Sequence, residues 1–170
     1  MMHIDGLHMG NLWLLGFVVA ALSAGMSWYL RGLKPSIFAL QFCFTRRRFL
    51  EILVAWQTQG VARFKKHFVA DYPYLVGYAL LGYGLATQTQ WLGQAPLGAA
   101  LLSVLPWLLP VAAVFDLLEN SLHRHLARGQ NALHAPEALF RLAGSVATLK
   151  WILVGCFLLL ALVAGICALI

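Results

Sequence analysis

Apolar residues run through this chain in four long blocks, residues 11–30, 72–92, 95–118 and 151–170, and polar residues are swept into the stretches between them. Each block is about 20 residues, the length that crosses the hydrocarbon core of a bilayer as α-helix. The pattern predicts an all-α polytopic membrane protein: one domain over residues 1–170, four transmembrane helices, and cytoplasmic connections at 31–71 and 123–150. The first connection carries a second periodicity. Phe49, Ile52, Leu53 and Trp56 recur at helical spacing, while Arg47, Arg48, Glu51 and Thr58 fall on another face. Thr45 reads as its N-cap and Gly60 as its C-terminal stop. Phe64 and Phe68 continue the apolar face among Arg63, Lys65 and Lys66. Such a segment beside membrane spans is expected to lie in the headgroup layer as a cytoplasmic interfacial amphipathic helix. Arg46, Arg47, Arg48, Trp56, Arg63, Lys65 and Lys66 would then contact the membrane surface and its anionic lipid.

The blocks carry packing signals of their own. Gly16, Ala20 and Ala24 repeat every four residues in the first, a spacing that lets helices approach closely in lipid. Tyr74, Tyr78 and Gly82 share a stripe in the second. Pro106 and Pro110 sit one turn apart in the third and predict a kink.

Charge fixes an expected orientation. All 12 Lys and Arg residues fall between Arg31 and Lys66 or between Arg124 and Lys150, and none lies in the tail 1–10 or the connection near 88–98. Retention of basic residues in the cytoplasm then places both termini outside, N-out and C-out. It also accounts for the net charge of +6 without nucleic acid as a partner. With 61% hydrophobic and 11% charged residues, the chain leaves no room for a separate soluble domain. The first block has no basic n-region, and basic residues follow it, so it reads as a reverse-oriented anchor and not a signal peptide. Cys43, Cys156 and Cys167 form no metal-ligand or redox spacing, and the last two are expected to be buried filler.

One segment departs from the packing logic. Asp116, Glu119, Asn120 and His123 stand at i, i+3, i+4 and i+7, so one helix face presents two carboxylates, an amide and an imidazole. Ionisable residues at such a depth are expensive in lipid and normally face the bundle interior or a water-filled cavity. Asp71 opens the second block and Lys150 precedes the fourth, both at the same expected membrane side. Asp71, Tyr78, Asp116, Glu119, Asn120 and Lys150 are therefore the candidate polar cluster. It reads first as an interhelical clamp, in which Lys150, with Arg141 or Arg124, neutralises the carboxylates and Asn120 bonds a neighbouring backbone. The second reading is a site for an ion, a proton or a polar head group. A metal or haem centre using His67 or His123 is the weakest, because the Glu-x-x-His spacing of bundle di-iron proteins and the HExxH motif are both absent. No metal and no cofactor is predicted.

The amphipathic segment, Asp71 with Tyr78, Asp116-x-x-Glu119-Asn120 and Lys150 together resemble small uncharacterised bacterial four-helix membrane proteins that share the Asp-x-x-Glu-Asn run. The resemblance covers most of residues 40–155 and implies a multi-pass protein of the bacterial inner membrane, with no activity attached. The chain contains no P-loop, GxSxG or dinucleotide fingerprint and no nucleophile–base pair, and it is too small for an inverted-repeat transporter. The leading expectation is a non-enzymatic membrane subunit or accessory protein, packing against other membrane subunits or as a homo-oligomer. The alternatives are a binding or transport protein for a small molecule, ion or lipid that uses the polar cluster, and a small membrane enzyme acting on lipid.

Overall fold

The computed structural model describes residues 9–88 and 98–169, with side chains described over 10–88 and 103–163. The expectations for the outer tail, for the connection near 88–98 and for the Cys167 side chain lie outside the described residues. The described chain is all-helical: α1 (Met9–Leu30), α2 (Ile37–Gln41), α3 (Arg46–Thr87), α4 (Gly98–Leu126), α5 (Asn131–His134) and α6 (Glu137–Leu169).

Three described helices are long and apolar enough to cross a membrane, not four. They are Gly10–Leu30, Ser103–Leu126 and Glu137–Val163, with mean hydropathies of 1.6, 1.3 and 2.4. The expected span at 72–92 falls on the second half of α3 and on residues beyond 88. In its described part Tyr72, Tyr74, Tyr78, Tyr83 and the glycines Gly77, Gly82 and Gly84 dilute the apolar run. The last span also begins earlier than expected. Arg141 and Lys150, assigned to a connection, ride on α6 itself, where Phe140, Ala143 and Ala147 bury one stripe while Arg141, Leu142 and Ser145 stay exposed. Lys150 is thus inside a continuous helix.

Packing runs in series, α1 on α3, α3 on α4, and α4 on α6. Each pairing is antiparallel, as the facing residues show. A Cβ on Gly84 would meet Leu12 and one on Gly77 would meet Val19, while Tyr78 faces Asp116 and Leu105 clusters with Phe157. The small residues that permit close approach therefore sit mainly on α3. On α1, Gly16 faces Leu81, but Ala20 and Ala24 point away from the bundle. Pro106 and Pro110 both lie within α4, which runs helical through them.

The main break is elsewhere, at Gln57 in α3, where φ is 54° and ψ is −177°. Thr45 caps the helix as expected, its Oγ1 accepting from the Arg48 N–H at 3.3 Å. Gly60 does not stop it. A Cβ there would lie 2.8 Å from Trp56 Cβ and 3.1 Å from Leu33 Cδ2, so glycine is needed for approach and not for termination. The aromatic face of this segment is not presented to a membrane surface. Phe49, Ile52, Trp56, Phe64 and Phe68 form the largest core cluster with Leu40, Leu126 and Phe140. Trp56 is only 5% exposed and its indole N–H donates to the Pro35 carbonyl at 2.6 Å, which removes it from the expected membrane-surface set. The apolar stripe was legible, but its cover comes from the 31–45 segment, α5 and α6. Arg47, Arg48, Arg63, Lys65 and Lys66 do remain exposed.

Arg46 ties this end together. Its backbone N–H donates to the Glu137 carboxylate at 3.2 Å and its guanidinium to the Ala135 carbonyl at 2.6 Å, joining the starts of α3 and α6. Cys43 is buried, its thiol donating to the Thr45 carbonyl at 3.3 Å, and burial pushes that thiol above its ordinary range. Cys156 is exposed on α6 and is not the buried filler expected of it.

Candidate polar site

The antiparallel register carries the polar residues of three helices to one level. From α4, Asp116, Glu119, Asn120 and His123 point to the same side, as their spacing requires, and all four are buried. From α3 come Tyr78 and, two turns earlier, Asp71. From α6 comes Lys150, whose ammonium lies 3.0 Å from Asp116 Oδ1 and 2.5 Å from Glu119 Oε2. The Tyr78 hydroxyl donates to Asp116 Oδ2 at 3.2 Å, and the Asn120 amide donates to Asp71 Oδ2. All six residues of the expected cluster are thus brought together.

Two details of the clamp differ from expectation. Asn120 serves Asp71 and not a neighbouring backbone. Arg124 and Arg141 are exposed and leave Lys150 to face the carboxylates. Among the described residues no Lys, Arg or His forms an ion pair with Asp71, so Asp71, Asp116 and Glu119 are set against one ammonium.

The compensation is incomplete at the atomic level. Glu119 is 0% exposed, yet neither carboxylate oxygen accepts a hydrogen bond; the Lys150 approach is an ionic contact outside hydrogen-bond geometry. His123, 2% exposed, stacks on Phe49 and holds Nδ1 3.5 Å from Glu119 Oε1, while its Nε2 has no partner. Buried polar atoms are nearly always paired, and leaving one unmet costs about 1–3 kcal/mol, more for a charge.

These atoms border a cavity of about 570 Å³. Glu119, His123, Asp71, Asp116 and Lys150 form its polar end, and Val19, Leu81, Leu85, Leu109 and Leu158 contribute to a longer apolar wall. Both ends of the packing series, α1 and α6, line it, so the cavity lies between helices that are not main packing partners. His67 is part of the wall as well, with Nδ1 paired to the Phe64 carbonyl and its ring set against Phe68 at 4.2 Å between centroids. Desolvation lowers the His67 pKa from the ordinary 6.5, against the pull of the Phe64 carbonyl, so the ring is neutral at pH 7.

Among the described residues no three His, Cys, Asp or Glu side chains are grouped to hold a metal ion. What sequence reasoning missed is the contribution of α1. Ser23 and Ser27 line the cavity at i and i+4, the one signal in an otherwise apolar run that could have pointed there. No family model matches the chain, and no curated protein or solved structure does either.

Proposed function

We propose that this is a non-enzymatic integral membrane protein that binds the polar head of a membrane-resident amphiphile in the cavity between α1 and α6. Under this reading the second half of α3 completes a fourth span, both termini lie outside, and the polar end of the cavity sits near the cytoplasmic face of a bacterial inner membrane. The basic surface of α3 and the two connections would rest against anionic lipid there.

The observation that carries the reading is a cavity that joins buried Glu119, without a hydrogen bond, and the unpartnered Nε2 of His123 to a largely apolar wall. A clamp alone has no use for either feature, since a clamp is stable only when every member is satisfied. An apolar pocket with a few convergent polar groups is instead the usual form of a small-molecule site. An amphiphile fits both parts, with its tail along Leu81, Leu109 and Leu158 and its head at Glu119.

Assembly with other subunits or with a second copy is the other reading, and α1 favours it. This helix packs chiefly on α3, and a Cβ on Gly25 would meet nothing within 4 Å. Native mass spectrometry of the protein extracted from its own membranes in mild detergent separates the two. A monomer carrying the mass of one lipid supports the binding reading. A lipid-free complex of higher mass supports assembly and removes the binding reading.

A further inference from the structure

Resting on that reading, we infer that the head group held at the polar end is a protonated amine that donates N–H hydrogen bonds, as in an ethanolamine-headed lipid. Three features of the site select this chemistry.

Charge is the first. Asp71, Asp116 and Glu119 line the cavity with Lys150, which already contacts two of them, and the neutral His67 adds no compensation. A bound cation suits the two carboxylates that share Lys150 and draws Asp71, which burial pushes up to about 7, toward its charged form; a bound carboxylate or phosphate at the same place would be repelled.

Hydrogen-bond polarity is the second. The Glu119 oxygens make no hydrogen bond of good geometry, and Lys150 at 2.5 Å with His123 at 3.5 Å leaves part of a carboxylate's acceptor capacity open. His123 turns Nδ1 toward Glu119 Oε1 at 3.5 Å, and its Nε2 meets nothing in the chain. The open acceptor capacity of Glu119 therefore asks for a donor. A protonated primary amine supplies three N–H groups, whereas a trimethylammonium supplies none and would leave Glu119 and His123 as they are. A metal ion is not favoured, because the described residues offer no three-ligand group.

The third feature is Arg31, exposed on the wall of the same cavity with its guanidinium 5.1 Å from the centre of the Trp28 ring. It supplies the opposite charge for the phosphate that an ethanolamine head carries beside its amine. The site thus reads as acceptor-lined and acidic within, cationic at α1, and apolar along the tail.

The test uses the full-length chain, delipidated in detergent and offered an equimolar mixture of phosphatidylethanolamine, phosphatidylcholine and phosphatidylglycerol with matched acyl chains. Retention is read by native mass spectrometry. The expected result is retention of the ethanolamine lipid over the choline lipid by about tenfold, the order of one charge-assisted hydrogen bond. Glu119→Gln should bring that ratio near one. Should Glu119→Gln not fold, Asp71→Asn, which touches no ion pair, should lower the ratio in the same direction. Free ethanolamine added at millimolar level distinguishes the sources. Displacement of the lipid shows that a soluble amine suffices, and its failure assigns the site to the intact lipid. Equal retention of the ethanolamine and choline lipids, or preference for the glycerol lipid, would overturn the amine assignment and leave amphiphile binding standing. A wild-type chain that retains none of the three overturns both.

Discussion

The two ends of the α3–α4–α6 packing are built on opposite principles. Around Phe49, Phe64 and Phe140 the chain comes close to satisfying itself, with Arg46 Nε, 3.9 Å from Glu137 Oε2, the buried side-chain atom left without a hydrogen bond among the described residues of that level. Trp56 finds the Pro35 carbonyl, Thr45 caps α3, Arg46 holds Glu137 and Ala135, and large side chains close the gaps. One level away, around Glu119 and His123, equally buried atoms go without partners beside an open cavity. A chain able to pair its polar atoms at one level and not at the next is not short of partners. The contrast marks where stability was the only demand and where room was kept for something else.

Lys150→Met is the strongest way to break that contrast. It strips the cation from Asp116 and Glu119 and leaves two carboxylates buried at contact distance of each other's surroundings, a loss of about 3–5 kcal/mol. Phe140→Ala at the self-satisfied level should cost a similar amount through a cavity, about 3–5 kcal/mol. The two losses differ in their cure. Adding Asp116→Asn and Glu119→Gln to Lys150→Met should restore much of the melting temperature in detergent, and adding them to Phe140→Ala should restore none. A Lys150→Met protein that melts like wild type would remove the electrostatic account of the polar level.

At the other level the exception is Gln57. Its φ of 54° with an extended ψ is a backbone region held almost only by glycine, and a residue with a side chain there stores on the order of 1–3 kcal/mol. Gln57 is exposed, so its side chain offers little in return. Gln57→Gly should therefore raise the melting temperature, by an amount corresponding to about 1 kcal/mol after the entropy that glycine adds to the unfolded chain. A lower melting temperature would mean that the bend is relaxed and that the aromatic level carries no strain.

How far the sequence was readable follows the same division. The Asp116, Glu119, Asn120 and His123 face came directly from helical periodicity, and Lys150 and Asp71 joined it by topology, because charges in an apolar chain have few places to go. The apolar stripe of α3 was just as legible, but not what covers it. Periodicity names a face, and whether lipid or protein meets that face depends on residues 31–45 and on Phe140, far away in sequence. The start of α6 was misplaced because Glu137 and Arg141 look like a connection until Phe140, Ala143 and Ala147 are seen to share a buried side. The break at Gln57 has no glycine or proline to announce it. The cavity was invisible for a different reason: an empty volume between α1 and α6 is a property of packing, and only Ser23 and Ser27 hint at it.

His67 joins the two levels, with Phe64 and Phe68 against its ring and the cavity on its other side, and it gives the smallest of these effects. Burial lowers its pKa from 6.5; the Phe64 carbonyl and Glu119 oppose that shift, while His123 and Lys150 add to it. The unfolded chain takes up this proton near pH 6.5, and the folded chain resists until the pH is lower. Between those points the unfolded state binds more protons, so stability rises with pH across the window. The contribution is therefore full above about pH 6.5 and is lost as the pH falls toward the depressed native value. Asp71, which burial pushes up to about 7, acts in the opposite sense in the same window, so His67 is read as a difference: on acidification the melting temperature of the wild type should fall relative to that of His67→Phe, which keeps the contacts with Phe64 and Phe68. A wild type that gains stability below pH 6.5 relative to His67→Phe would reverse the sign, and would mean that His67 is held as a cation by Glu119. In that event the imidazolium would itself neutralise part of the acidic end, and the case for an amine from outside the chain would weaken with it.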